Sequence, residues 1–309
     1  MIKWISKNIK KFNKTSIWFK VFILLILLLL IYHAHGSKNM KEPFIQQKKF
    51  IIKEGSGIYD KFYSNIYDSL VFDKVKNDYE VGEIINTTKP TQKSRILDIG
   101  SGTGQIVNLF QDKGFNAQGL ELSSAMVEIA KKNFPKYNFK VGNALETMIY
   151  PGNNFTTVTC LYFTIYYIKD KLQFLKNCYH WLMPGGNLVL NLVNRDKFDP
   201  ILNTADPLLW VSAQKFAKKR ITNSIVKFKD FEYKGNFDLD KPNNTATFTE
   251  TMKDDKTGHI RQNIHKLFMP TQKKILALAK QLGFILKGKA DLVNVQYEYQ
   301  YLYFLYKPE

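Results

Sequence analysis

The chain has 309 residues, 45% of them hydrophobic, which is enough to bury a full core in one large domain or two small ones. Its formal charge of +18 is uneven: residues 1–53 hold eleven lysines against one acid, Glu42, a pattern unlike a uniformly basic nucleic-acid binder. Two cysteines in apolar patterns, Cys160 and Cys178, exclude a disulfide framework, and five histidines without metal-ligand spacing give no expected metal site.

Taken in chain order, residues 1–16 form a basic tail. "SIWFKVFILLILLLLIYHAHG" follows, with an uninterrupted apolar stretch from Val21 to Tyr32. Adding Ile17, Trp18 and Phe19 gives roughly 24 Å of helix, and Trp18, Lys20 and Tyr32 stand where interfacial anchors belong. The expectation is a transmembrane helix or signal anchor over 17–34, with a cleaved signal peptide and a secreted product as the alternative. Lysines on both flanks leave the side of the membrane open. Residues 35–52 read as a linker.

From Lys53 the pattern becomes that of a globular α/β domain running to residue 309. "YDKFYSNIYDSLVFDKVKNDYEVGEII" has a helical period. "SRILDIG" reads as a buried parallel strand, and "GQIVNLFQDKG" as a short helix closed by Gly114. Strand "NAQGLEL", helix "SSAMVEIAKKNFP" capped by Ser123 or Ser124, and strands "YNFKVGNA" and "NFTTVTCLYF" come next. "KDKLQFLKNCYHWLMPGG" reads as a helix stopped at Pro-Gly-Gly, before a fifth strand, "NLVLNLVN". Between about 199 and 269, β-branched, aromatic and charged residues alternate, as in antiparallel strands with one wet face and a turn at "KDDKTG". The helix "PTQKKILALAKQLGF", capped by Thr271, and a closing hairpin complete the chain. The expected fold is α/β: a Rossmann-like, seven-stranded, mostly parallel sheet with an antiparallel insertion after strand five, lying over the carboxyl edge where open sheets bind ligands.

The segment "RILDIGSGTGQIVNLF" sets Gly100, Gly102 and Gly104 at alternate positions between a strand and a helix. Glycines there let a ligand approach bared N–H groups and the helix N-terminus. Gln105 occupies the third glycine position of the dinucleotide fingerprint, and no Gly-Lys-Ser/Thr follows, so neither a dinucleotide motif nor a P-loop is present. Twenty-three residues past Asp98, Glu121 ends the second strand, where a carboxylate can accept both ribose hydroxyls. Asn143, in Gly142-Asn143-Ala144, can read the edge of an adenine.

The set "ILDIGSGTG", "GLELS", "VGNA", "TCLYFTIYYIKD" and "WLMPGGNLVL", in this order, resembles the class I S-adenosylmethionine-dependent methyltransferases, and more narrowly the glycine and sugar N-methyltransferase-like branch. The resemblance implies S-adenosyl-L-methionine as cofactor. It implies that Asp98, Gly100, Ser101, Gly102 and Gly104 meet its methionine part, that Glu121 holds the ribose, and that Leu122, Asn143 and Ala144 meet the adenine. Leu161 and Tyr162 fall near the methyl donor. The N-terminal helix offers Tyr59, Tyr63 and Tyr67, of which Tyr59 and Tyr67 are favoured over the cofactor. Tyr162 and Tyr166 are the catalytic candidates, with Tyr167 beside them, and Arg195 is a candidate for an acidic group of the substrate.

The expected function is methyl transfer to a small-molecule, lipid or peptide acceptor by a membrane-tethered enzyme. A nucleic-acid methyltransferase and a cofactor-binding pseudoenzyme or scaffold are the alternatives. Against nucleic acid, strand four ends in "CLYF" rather than the Asp/Asn-Pro-Pro-Phe/Tyr of adenine-amine methylation.

Overall fold

A computed structural model describes residues 16–36, 48–200, 219–228 and 230–309. The chain divides into two compact units, Met1–Pro43 and Phe44–Glu309. In the first, α1 (Ile17–Gly36) is the described element. Among the described residues no helix is long and apolar enough to cross a membrane. This corrects the expected transmembrane anchor, and with it the placement of the protein as a single-pass membrane protein. The physical reason is length: Lys20 at one end and His33 and His35 at the other leave twelve unbroken apolar residues. Those rise roughly 18 Å against a hydrocarbon core of ~30 Å. Most of the basic tail, and part of the expected linker, lie outside the described residues.

In the second unit, β1 (Phe50–Glu54) leads through a short 3-10 turn (Gly55–Ile58) to α2 (Lys61–Val71) and α3 (Lys74–Thr88). The sequence pattern reads as one helix across these two. Asp60 and Asp73 divide it, each accepting the N–H three residues on and so starting a new helix. Then come β2 (Arg95–Ile99), α4 (Gln105–Asp112), β3 (Asn116–Glu121), α5 (Ser124–Asn133), β4 (Asn138–Val141), β5 (Phe155–Cys160), α6 (Thr164–Tyr167), α7 (Lys171–Trp181) and β6 (Leu182–Val193). The chain continues with β7 (Asn223–Lys227), β8 (Phe231–Asp240), β9 (Thr245–Asp254), β10 (Ile260–Phe268), α8 (Gln272–Gln281), β11 (Ile285–Asp291) and β12 (Gln300–Tyr306).

Among the described residues these strands form two sheets. The larger has seven strands in the order β11-β12-β6-β5-β2-β3-β4. Its β4, β3, β2, β5 and β6 run parallel, while β12 is antiparallel to both β6 and β11. The central strands are buried on both faces, and Ile96, Leu97, Ile99, Val158, Leu188, Val189, Leu190, Leu192 and Val193 supply most of that apolar surface. The smaller sheet has the order β1-β10-β9-β8-β7. It is the expected antiparallel insertion after the fifth parallel strand, with one addition: Phe50–Glu54, whose first three residues fall in the expected linker, pairs parallel to β10.

Pro184, Gly185 and Gly186 do not stop a helix. The helix ends at Trp181, and these three residues lie within β6, at an irregularity between its pairings with Phe155 and Thr157. There Gly185 N–H donates to Lys307 O, and Lys307 N–H donates to Gly186 O. Ser123 and Thr271 cap their helices as the sequence suggests.

Candidate active site

A cavity of about 480 Å³ opens at the carboxyl ends of β2 to β5 and is roofed by the smaller sheet. Its floor is the turn after β2. Gly100, Gly102 and Gly104 adopt φ of 73°, 53° and 87°, a region that side chains avoid. Gly100 and Gly102 line the cavity. At Gly102 an added Cβ would meet only Tyr67, at 3.8 Å, so the missing side chain keeps backbone open toward the cavity. Thr103 Oγ1 and Gln105 Nε2 donate to the Asp68 carboxylate at 2.5 and 2.8 Å, tying this turn to α2, which carries Tyr63 and Tyr67.

Glu121, at the tip of β3, reaches back to the same turn. Its Oε2 accepts from Gly102 N–H at 3.0 Å and its Oε1 from Ser123 N–H at 2.9 Å. Burial raises its pKa, while the N–H groups of Ser123, Gly102 and Leu122 oppose that rise. Ser123 does double duty: its hydroxyl caps α5 and also donates to the backbone oxygen of Tyr59 at 2.7 Å. That bond fixes the segment from which the Tyr59 ring enters the cavity. Leu122, Asn143 and Ala144 form the next stretch of wall. The Asn143 Oδ1 is taken by Leu145 N–H.

Tyr162, just past β5, also lines the cavity, and its φ of 52° is unusual for a residue with a ring. Strain of this kind concentrates at working sites. Beneath it lies a buried ion pair, Lys76–Glu80 at 2.8 Å, with the Lys76 ammonium 5.2 Å from the Tyr162 ring centre.

Several residues expected to touch a ligand instead support the wall. The Asp98 carboxylate is buried against Thr159 Oγ1 at 2.7 Å and stays out of the cavity lining, because its side chain points into the sheet. Ser101 turns inward against Gly119, with its hydroxyl lacking a partner. Gly104 sits at the start of α4, where a Cβ would come within 2.6 Å of the Phe139 ring. Leu161 packs in the core. Tyr166 is fully buried and its oxygen accepts from Val193 N–H at 2.8 Å, so it braces β6 and is no catalytic group. Arg195 is likewise spent on structure, donating to Asn244 Oδ1 and Met269 O.

The roof holds what the sequence analysis missed. Glu250 of β9 and His265 of β10 both line the cavity, and Glu250 Oε2 lies 2.8 Å from His265 Nε2. The other ring nitrogen, Nδ1, lies 2.8 Å from the Tyr167 hydroxyl. The signal was there in "HIRQNIHKLFM": Arg261, Asn263, His265 and Leu267 share one face at a period of two, and that face is buried. Arg261 ties the roof to the segment leading into α2 by donating to the Asp60 carboxylate and Ile58 O, each at 2.9 Å.

Against known proteins, residues 96–186 match the family described as "Methyltransferase domain". These are the residues from β2 to the start of β6, which carry the glycine turn and Glu121. The fold is that of the class I S-adenosylmethionine-dependent methyltransferases. The chain is 31% identical over 144 residues to the dTDP-4-amino-2,3,4,6-tetradeoxy-D-glucose N,N-dimethyltransferase of Saccharopolyspora spinosa, covering 44% of this chain and 57% of that protein. It is 23% identical over 104 residues to a ubiquinone biosynthesis O-methyltransferase of Coxiella burnetii, covering 33% and 44%. The chain thus spans about half the length of the curated relatives it matches. In fold, the chain is similar to the CcbJ methyltransferase of Streptomyces caelestis (TM-score 0.64, 13% identity, 82% of this chain and 99% of that one). It is also similar to the CalS10 amino pentose methyltransferase of Micromonospora echinaspora, solved with S-adenosylmethionine bound (TM-score 0.56, 18% identity, 80% and 96%).

The residues present fit S-adenosylmethionine. Gly102 leaves open space toward the cavity, Gly100 lines it beside Thr164, and the Glu121 carboxylate is already aligned by two N–H groups. Among the described residues no group of His, Cys, Asp and Glu could hold a metal ion.

Proposed function

We propose that this chain transfers a methyl group from S-adenosylmethionine to a small molecule enclosed between the glycine turn and the roof sheet. The observation that carries the proposal is that one cavity joins the two: Gly102 and Glu121 line one part of it, and Phe237, Phe248, Glu250 and His265 another. Its volume of about 480 Å³ is that of a small-molecule site.

The chain's own residues would divide the work as follows. The backbone at Gly100 and Gly102, with Tyr59 and Tyr67 from the N-terminal side, would hold the methionine part of S-adenosylmethionine. Glu121 would accept the ribose hydroxyls, with Leu122, Asn143 and Ala144 around the adenine. When bound, the cofactor supplies an electrophilic methyl group. Tyr162, Phe163 and Tyr167 would press the acceptor into line and exclude water, which is where much of the rate enhancement of such a displacement arises. The part-length likeness to an amino-sugar dimethyltransferase supports a small acceptor.

The test is incubation of the full chain with methyl-tritiated S-adenosylmethionine and two pools from a cell extract, one of small molecules and one of RNA. Label entering the small-molecule pool is the expected result. Label confined to RNA would reverse the proposal.

A further inference from the structure

The roof carries a polar chain that the donor site does not use. Glu250 is 1% exposed. Its Oε1 accepts from the Tyr233 hydroxyl at 2.9 Å, and its Oε2 meets His265 Nε2 at 2.8 Å and Asn263 Nδ2 at 3.2 Å. The Tyr63 hydroxyl adds another donor. Burial alone would raise the carboxyl pKa, but His265 and these donors outweigh it and hold the pKa below the ordinary value. On the far side of the imidazole, Nδ1 meets the Tyr167 hydroxyl at 2.8 Å, and Tyr167 in turn receives a hydrogen bond from Tyr59.

The polarity of this chain follows from one end. An ionised carboxylate can only accept, so the Nε2 of His265 carries hydrogen. With hydrogen on Nε2 alone, Nδ1 is an acceptor and the Tyr167 O–H donates to it. Every hydrogen bond points toward Glu250, and the Tyr167 oxygen keeps lone-pair capacity on the cavity side. Other charged groups nearby are engaged elsewhere: Lys266 pairs with Glu54, and Arg261 with Asp60. Tyr59, Tyr63, Phe248 and Tyr167 surround the ring.

We infer that Tyr167 and His265 are the proton exit for the methyl acceptor, that Glu250 is their positioning residue, and that the acceptor's nucleophilic atom therefore arrives carrying a proton it must lose. This rests on the proposed function. The acceptor is thus a hydroxyl or an alkylammonium. The acceptor's X–H bond breaks as an O–H bond forms on Tyr167, whose own hydrogen passes to His265 Nδ1. The new X–C bond takes the methyl group as its bond to sulfur breaks. The proton ends on an imidazolium facing the Glu250 carboxylate, the arrangement by which a carboxylate orients and stabilises a histidine base, and leaves to solvent after the product.

Two measurements on the full chain test this. In ring-nitrogen-labelled protein, nuclear magnetic resonance reads the His265 tautomer directly. The expected result is hydrogen on Nε2 and none on Nδ1, with that preference lost in Glu250→Gln; hydrogen on Nδ1 overturns the inference. The second measurement is transfer from labelled S-adenosylmethionine at pH 8 to paired probes. Phenol and benzylamine must lose a proton, whereas 4-nitrophenol is largely ionised and aniline already neutral. Tyr167→Phe and Glu250→Gln should lower transfer to the first of each pair at least tenfold more than to the second, within the ~10²–10⁴ that general base catalysis contributes. Equal losses within each pair would show a merely structural role and overturn the inference. The phenol arm against the amine arm identifies the acceptor class. Transfer to none of the four counts against the proposed function, and the tautomer alone then decides the proton exit.

Discussion

Asp98→Asn should change how stability depends on pH. The Asp98 carboxyl is 3% exposed and its pKa is raised to about 7, chiefly by burial, with the Glu80 and Glu121 charges adding to the rise and the Thr159 hydrogen bond opposing it. In the unfolded chain the group titrates near 3.9. Below about pH 4 both states hold the proton and Asp98 contributes no pH dependence. Between about pH 4 and pH 7 the folded state keeps a proton that the unfolded state has lost, so stability falls as pH rises. Above pH 7 both states are ionised and the loss is complete. The difference of about three pH units corresponds to something on the order of 4 kcal/mol. Asparagine keeps an oxygen for the Thr159 hydroxyl, which donates to Asp98 Oδ1 at 2.7 Å, but does not titrate. Urea unfolding at pH 4.5, 6 and 8 should therefore show the variant gaining on the parent chain as pH rises, by several kcal/mol overall. A difference between the two proteins that stays constant across this range would refute the burial argument.

Three further changes probe the supports of the site. Gly104→Ala, at φ 87° and with a Cβ 2.6 Å from the Phe139 ring, should cost about 1–3 kcal/mol of unfolding free energy, read from the urea midpoint. Tyr166→Phe leaves the buried Val193 N–H without its acceptor and should cost about 1–3 kcal/mol by the same assay. Its rate of methyl transfer, measured well below the melting temperature, should stay within about twofold of the parent chain, since Tyr166 does not line the cavity. Lys76→Met strands the Glu80 carboxylate, which is fully buried, and should destabilise by about 3–5 kcal/mol, visible as a lowered melting temperature.

The donor side of the site was legible because its chemistry is local. A strand, a glycine turn and an acid at the next strand tip lie within one βαβ unit, and the residues that make the turn possible are the residues a reader sees. Even there, side-chain direction was hidden. Asp98 and Gly102 are four residues apart, yet one faces Thr159 inside the sheet and the other the cavity. The roof was legible as antiparallel strands but not as chemistry. Alternation fixes which residues of β9 and β10 share a face without saying which face is buried. Reading polar residues as wet puts Asn263 and His265 outside, whereas the structure turns them in, with Glu250 opposite to satisfy them. Tyr167 and His265 are 98 residues apart, and nothing in either segment announces the other. The apolar segment near the N-terminus misled for a different reason: its composition is that of a membrane span, but its unbroken length is not.

The most direct measurement is calorimetric titration of S-adenosylmethionine into the full chain and into Glu121→Ala. Removing a carboxylate already held by Gly102 N–H at 3.0 Å and Ser123 N–H at 2.9 Å takes away the proposed ribose acceptor. At about 1.5–3 kcal/mol for each charged hydrogen bond, affinity should fall at least tenfold while the far-ultraviolet dichroism of the folded domain is kept. Equal affinity in the two proteins would contradict the donor site described above.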